Sequence, residues 1–598
     1  MLNKLFKIII TPIIDQLPLC VFMYLLWGMN LFVSLFGPLY AYDPKVFVVN
    51  LVLEPFVFFC GFLAFMYLLA FLTNFINKKW FKVFIYAVII LLAGIKWLLY
   101  NTFGIDITPT TLVLLAETNK NETIEFIETF VLTKSNWYLI ILLPAIIYFI
   151  FVCENFYSHY RLGIFKEKLK SSYWVRFFVL AVLMYSCYNV YANGKVMSNC
   201  SDTDELSKFE LDTSIKNPLT EIVYSFYGVY LMNHEESSFE NGIKNFKANS
   251  VCCSKKDSLN IILVIGESYI KHHSSLYGYY LNTNPMLSKE QDAGNLFVFN
   301  DVITPYSSTS ITVKNVLCTN SLSDGEKWNN SLFFPQLFKA AGYDVFFWDN
   351  QKYWGDNSNF AFALNSFLYN KLLVSNVYNQ VNKKAYPFDE DIVKSFGDVK
   401  LTAKRNLVIF HLLGQHIAFK ERFPNNEDYI YFTKDSIIRN EQWMTDYKKQ
   451  RIADYDNATR YNDYVILQII NLFRDKKSIV VYFSDHGEEV YDYRNSSGRK
   501  SDGMSRGQVK YQFEVPLMLW FSDSYRNDNP DVMKQVKEAQ NRPFMIDNLC
   551  QLLFHLGDIK TKSYHSERDL ISPNFKPRKR IILDQYDYDG IMNNKKGY

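Results

Sequence analysis

"IVVYFSDHGEE", residues 479–489, decides how the second half of this chain is read. Its first five positions are all apolar or aromatic, and the run then meets Ser484, Asp485, His486 and Gly487. A strand that is apolar at every position, rather than at alternate ones, suits a sheet covered by helices on both faces. Ligands of such sheets gather outside the carboxyl ends of the strands. An Asp and a His side by side where a strand gives out are therefore placed to hold a metal. Asp and Gly also end strands with no chemistry attached, so the neighbouring strands must distinguish the two readings.

The same pattern recurs from residue 259 onward. "NIILVIG", "LFVFNDVI", "DVFFWD", "NLVIFHLL", "VPLMLWF" and "RIILD" read as further strands, and "FFPQLFKAAG" and "YDNATRYNDYVILQIINLFRDK" as helices between them. Alternation of this kind predicts a three-layer α/β/α domain with a largely parallel sheet. Several strand ends carry reactive side chains. "NIILVIGES" closes on Glu267 and Ser268, "NLVIFHLLGQH" on His416, and "LFVFNDVI" is followed by the hydroxyl-rich turn "TPYSSTSIT". Glu267, Asp485 and His486 together offer two carboxylates and an imidazole, a donor set that suits zinc or manganese better than calcium. A hydroxyl of the turn, among Ser307, Ser308, Thr309, Ser310 and Thr312, would act as a metal-activated nucleophile at a helix N-terminus able to hold a phosphate.

The first third of the chain is different in kind. Five segments approach the length of about 20 apolar residues that a membrane span requires. They are Leu17 to Tyr40, Val46 to Leu72, Phe81 to Tyr100, Trp137 to Cys153 and Trp174 to Ala192. Lys4 and Lys7, then Lys78, Lys79 and Lys82, then Arg161, Lys166, Lys168 and Lys170 fall on one side of five spans, and the positive-inside rule makes that side cytoplasmic. An odd count exports the chain beyond the fifth span. The expected organisation is a transmembrane domain over 1–193 with an external loop at 101–136, a linker with an amphipathic bridging helix over 194–257, and a catalytic domain over 258–598. The formal net charge of +3 gives no case for a nucleic-acid partner. Nine cysteines, five of them beyond the spans, form no zinc-binding spacing, and the odd exported number leaves at least one thiol without an intramolecular partner.

With "VIGESYIKHHSSLYGYYLNTNP", "SSTSITVKNVLC", "YDNATRYNDYVILQII" and "VVYFSDHGEE", and with spans ahead of them, the chain resembles the bacterial phosphoethanolamine transferases, which include the lipid A modifying enzymes behind colistin resistance. They belong to the alkaline phosphatase and sulfatase superfamily. The resemblance implies an inner-membrane enzyme with its catalytic domain in the periplasm. Such an enzyme takes phosphoethanolamine from phosphatidylethanolamine through a zinc-activated Thr and passes it to a lipid A phosphate or core sugar of lipopolysaccharide. It implies Glu267, Asp485 and His486 as metal ligands, together with the nucleophile Thr312, counted back from Cys318 and placed where "TVKNVL" starts a helix. It also implies His416 near the transferred phosphate, and Thr118 and Glu122 lining the donor site.

One departure stands out. The family usually carries a His shortly before the "VP" of the strand that here reads "FEVPLMLWF", and this chain has "KSDGMSRGQVKYQFEVP" with none. Lys500, Arg506 or Lys510 is the expected substitute, with Arg506 placed on the substrate. Among rival chemistries, a sulfatase needs a Cys/Ser-x-Pro-x-Arg run that no Cys or Ser here begins. A phosphoglycerol transferase shares the fold and a Thr nucleophile, and an inactive membrane sensor predicts loss of ligands that are all present.

Overall fold

The computed structural model describes scattered residues before 172 and, from 172 to 593, all but 204, 207–217, 256, 352–367, 369, 385, 417, 418, 496 and 500–503. Thr118, Glu122 and the loop at 101–136 lie outside the described residues, as do the first four expected spans apart from isolated helical positions. The chain divides into two compact units, 1–233 and 234–598.

In the first unit, α1 (Tyr173–Asn199) covers the fifth expected span. No helix among the described residues, α1 included, is long and apolar enough to cross a membrane. Helix α2 (Pro218–Lys244) starts on a proline, which a helix tolerates in its first turn because that N–H has no intrahelical partner. Cys200, Leu206, Tyr224 and Leu231 bury a small apolar cluster, in which the Tyr224 hydroxyl donates to the Leu206 carbonyl (3.0 Å).

The second unit begins inside α2, ahead of the expected boundary at 258. Phe239 and Ile243, one helical turn apart, are buried in the main core, with Phe239 against Trp328 and Phe333. The second half of the bridging helix is thus part of the domain that it was expected only to lead into.

Seven strands form the sheet: β1 (Leu259–Gly266), β2 (Leu296–Phe299), β3 (Asp344–Asp349), β4 (Gln380–Val381), β5 (Arg405–His411), β6 (Ser478–Ser484) and β7 (Leu517–Phe521). Their order is β2-β7-β6-β1-β5-β3-β4. All neighbours are parallel except those of β7, which runs against both β6 and β2. The fully buried β1 feeds two cores by alternation: Ile261, Leu263 and Ile265 face one, Ile262 and Val264 the other. The first core is closed by α3 (Thr309–Leu317) and the helices Phe334–Ala340 and Leu549–Leu556. The second is closed by α4 (Asp389–Gly397) and α5 (Asp446–Phe473). A shorter helix, α6 (Arg506–Phe513), precedes β7. This is the three-layer α/β/α arrangement that the alternation of elements predicts.

Two strand expectations are corrected. "LFVFNDVI" breaks at Asn300-Asp301, and Val302–Ile303 pairs with Phe544–Met545 instead of extending the sheet. "RIILD" forms a small hairpin, Ile581–Ile582 with Tyr586–Asp587, apart from the main sheet.

Candidate phosphoryl-transfer site

The register of the central strands assembles the site. Gly266 of β1 lies opposite Ser484 of β6, and the Asp485 N–H donates to the Gly266 carbonyl (3.0 Å), so Glu267 and Asp485 leave adjacent strands side by side. A side chain at Gly266 would put its Cβ 2.1 Å from the Tyr482 hydroxyl, so only glycine fits there. Ser268 then turns the chain in the left-handed region (φ 57°), a conformation costly for a residue with a Cβ. It is held there by three contacts. Its N–H donates to Asp485 Oδ1 (3.2 Å), its hydroxyl to Glu267 Oε1 (2.7 Å), and its carbonyl accepts from the Tyr455 hydroxyl (2.7 Å). On the far side, Gly414 (φ 49°) lets the β5 loop pass so close that a Cβ would lie 2.7 Å from the Glu267 carbonyl oxygen.

Glu267, Asp485 and His486 are all buried, and one ligand atom from each lies within 4.8 Å of the others. His486 Nδ1 faces the Gly487 carbonyl at 2.7 Å, which fixes the proton on Nδ1 and leaves the Nε2 lone pair directed into the cluster. Burial and the Arg499 charge lower the His486 pKa, which keeps the imidazole neutral, the form that binds a metal. Burial works against charge on Glu267, but the positive and hydrogen-bonding groups around it, with Arg499 the permanent charge among them, hold it ionised, well below the ordinary carboxylate range. Asp485 goes the other way: burial and the Glu267 charge push its carboxyl well above that range. Two buried carboxylates this close cannot both be ionised without a cation. Asp485 Oδ2 also has no hydrogen-bond partner. An orphaned, buried carboxylate oxygen beside a second carboxylate and an imidazole nitrogen turned into the same cluster fits a divalent metal.

The hydroxyl at this cluster belongs to Thr309. Its Oγ1 is 3.0 Å from Glu267 Oε2, to which it donates, and 3.0 Å from His486 Nε2. Thr312, the residue expected as nucleophile and fourth ligand, is fully buried one turn further on, with its hydroxyl donating to the Tyr306 carbonyl (3.2 Å). The difference comes from where the helix starts. Ser308 is the N-cap, extended at φ −139° and ψ 134°, so α3 opens at Thr309, and the Thr312 N–H already bonds the Ser308 carbonyl (3.1 Å). Ser308 makes no side-chain capping bond, and "SSTSIT" offers four residues of N-cap type in a row, so the sequence leaves the start of the helix open. The first-turn amides of α3 ahead of Thr312 have no intrahelical partner.

Around the cluster, Gln351 Nε2 donates to Glu267 Oε2 (3.1 Å) and to the Leu412 carbonyl (2.8 Å). His416 stands at the exposed rim, where the enclosing protein lowers its pKa against the pull of Glu267. The cation at the cluster is Arg499, one residue before the stretch that lacks the family His. Its Nη1 lies 2.6 Å from His486 Nε2 and donates to the Ser307 carbonyl (2.6 Å), while its Nε lies 3.4 Å from Glu488 Oε2. Arg506 instead opens α6 with an exposed side chain, and Lys510 lies over the Tyr511 ring. Lys500 is outside the described residues. Nothing in the sequence distinguished Arg499 from its basic neighbours.

The sequence model of the sulfatase family matches residues 259–555. Phosphoethanolamine transferase EptC of Escherichia coli (strain K12) is 29% identical over 368 residues, 59% of this chain and 59% of its own length. Kdo(2)-lipid A phosphoethanolamine 7''-transferase of the same organism is 26% identical over 318 residues, 51% of this chain and 52% of its own. These matches span less than two thirds of either relative. Among solved structures, the C-terminal periplasmic domain of EptC from Escherichia coli superposes with a TM-score of 0.50 at 27% identity, covering 58% of this chain and 97% of that one. The integral membrane protein lipooligosaccharide phosphoethanolamine transferase A from Neisseria meningitidis shares the fold, with a TM-score of 0.58 at 16% identity over 93% of this chain and 99% of its own. Residues 259–555 therefore form a sulfatase-family domain, and the chain is a relative of the bacterial phosphoethanolamine transferases.

Proposed function

We propose that this protein transfers phosphoethanolamine from phosphatidylethanolamine to a lipid A phosphate or core sugar of lipopolysaccharide, with Thr309 as the covalent relay. The observation that carries this reading is the Thr309 hydroxyl, 3.0 Å from both Glu267 and His486 at the mouth of α3. Glu267, Asp485 and His486, with Thr309 Oγ1, would hold a zinc ion. Bound there, zinc would favour the alkoxide form of a hydroxyl and offset the charge that develops on phosphorus oxygens.

In the first half-reaction Thr309 Oγ1 attacks the donor phosphorus, and the bond from phosphorus to the diacylglycerol oxygen breaks. The ionised Glu267 favours loss of the Thr309 proton, and the departing diacylglycerol oxygen takes up a proton as it leaves. In the second half-reaction an acceptor oxygen attacks the same phosphorus, the bond to Thr309 breaks, and the threonine hydroxyl is restored. The first-turn amides of α3 and the Arg499 guanidinium supply donors to the phosphoryl oxygens. Arg499 stands in for the family His, tethered by the Ser307 carbonyl and Glu488. His416, at the rim, would lie beside the phosphate. Thr118 and Glu122 are assigned to the donor site on the family resemblance alone.

The relatives' domains support a periplasmic location for residues 258–598, with the chain before them anchored in the inner membrane. Tyr173, Trp174, Phe177, Tyr188 and Tyr191 are exposed on α1, which supports contact with lipid. Mass spectrometry of lipopolysaccharide from cells with and without the protein tests the activity. A gain of one phosphoethanolamine only when the protein is present supports it, and identical spectra with full expression contradict it.

A further inference from the structure

Beside the phosphoryl-transfer cluster, on the β5 and β3 side of the same sheet edge, lies a second concavity of about 630 Å³. That volume is within the range of roughly 300–1,000 Å³ typical of small-molecule sites. Tyr386, Phe388, the buried Phe423 and Leu413, two residues beyond β5, line it. Lys420 and Arg422 also line it. Lys384, outside the lining, lies with its Nζ 5.0 Å from the centre of the Tyr386 ring. Glu421 is the acidic member of the lining, but its side chain is 76% exposed and lies 3.6 Å from Arg422 on the outer side.

The cavity and the cluster share one frame. Asp389, buried at the start of α4, accepts the N–H groups of Leu413 and Gly414 (2.9 Å each) and the side-chain amide of Asn350 (2.9 Å). Asn350 in turn accepts the Tyr386 N–H (2.6 Å), and the Gln415 N–H donates to the Glu267 carbonyl (3.0 Å). One hydrogen-bonded path therefore runs from the cavity wall to a metal-ligand candidate. Arg422 is close enough to His416 and Asp389 for its charge to bear on both.

We propose that this cavity is the acceptor subsite, and that it binds a sugar ring carrying a phosphate or carboxylate. The inference rests on the transferase reading above. The half-buried faces of Tyr386 and Phe388 suit the apolar face of a pyranose, and the planar Arg422 fork with Lys420 beside it suits an oxyanion. The donor headgroup fits poorly, because its ammonium would meet the two cations Lys420 and Arg422. Leu413, which lines the cavity, lies two residues before Gln415, whose N–H holds the Glu267 carbonyl, so a bound anionic sugar lies close to the cluster.

Glucosamine 1-phosphate is the probe, titrated into the full-length protein in detergent micelles and followed by saturation-transfer NMR. Wild type should bind it about tenfold more tightly than inorganic phosphate or glucosamine, since ring and anion contacts each contribute. Lys420→Glu, a change at an exposed side chain, and Arg422→Gln should each weaken binding about tenfold. In the transfer assay the same variants should raise the acceptor KM by a similar factor, with a much smaller change in kcat. Unchanged probe binding and unchanged acceptor KM in both variants would overturn the assignment. So would preferential binding of O-phosphoethanolamine that is lost in the variants, which would give the cavity to the donor. Diacylglycerol release by wild type without acceptor reports separately on the transferase reading. If release fails, that reading falls; if release is intact and no sugar phosphate binds, only the subsite falls.

Discussion

At the scale of single residues, the site turns on two side chains, and they differ in how far the sequence reveals them. The candidate ligands Glu267, Asp485 and His486 are legible because each stands at the end of an unbroken apolar strand, and parallel register leaves little choice about where such ends go. Arg499 is not legible: it sits in a loop between β6 and α6 with other basic residues, and only the fold shows which one turns inward. If Arg499 donates to the transferred phosphoryl group, Arg499→Ala should lower kcat by about 10²–10³-fold, the usual loss when one charge-stabilising donor is removed. Steady-state kinetics with a fluorescent phosphatidylethanolamine donor measure this. Arg499→Lys should recover part of the loss, because an ammonium keeps the charge without the fork. Wild-type kcat in both variants would remove Arg499 from the reaction. Thr309 shows the opposite kind of miss. The hydroxyl-rich turn is plain in the sequence, but the helix opens three residues earlier than Thr312, at the residue that follows Ser308.

At the scale of elements, a buried ion triad ties three segments together behind the site. His273 Nδ1 is 2.6 Å from Asp456 of α5, and its Nε2 is 2.7 Å from Asp492, which lies in the loop after Asp485 and His486. Tyr279 stacks on the imidazole and donates to Asp456 (3.0 Å). Burial disfavours the imidazolium, but the two carboxylates outweigh it and raise the His273 pKa to about 10. The folded pKa lies above the unfolded one, so the stabilisation is complete below about pH 6.5 and is lost progressively as pH rises towards 10. His273→Gln should therefore cost about 3–5 kcal/mol near pH 6, the penalty for breaking a buried charge cluster. The cost should shrink towards pH 9.5 in denaturant unfolding of the unit over 234–598, and a pH-independent loss would contradict a charged triad. Elements are easiest to read where apolar runs are continuous, as in β1, β5 and β6. They are hidden where apolar residues are few. Phe239 and Ile243 are isolated in the polar second half of α2, and only packing shows that this half belongs to the core.

At the scale of the whole molecule, the metal-free cluster is a source of instability that a cation removes. Glu267 is ionised, and Asp485 is held protonated by burial and by that charge. The raised Asp485 pKa means that the metal-free protein loses stability as pH rises from the ordinary carboxylate range towards the folded value. Chelation should therefore lower Tm, and more so at pH 8 than at pH 5.5. Adding zinc back at about 1,000 times its Kd should restore about 4 kcal/mol. Asp485→Asn should narrow the gap between chelated and zinc-loaded protein, since it removes both the repulsion and a ligand. Scanning calorimetry at the two pH values checks this, and a Tm indifferent to chelation would count against a metal at these residues.

The central claim is that the relay oxygen is Thr309 Oγ1, and tandem mass spectrometry of protein incubated with phosphatidylethanolamine and no acceptor tests it most directly. The expected result is a phosphoethanolamine adduct on Thr309, absent in Thr309→Ala and still formed in Thr312→Val. An adduct that maps to Thr312, or persists in Thr309→Ala, would contradict the account.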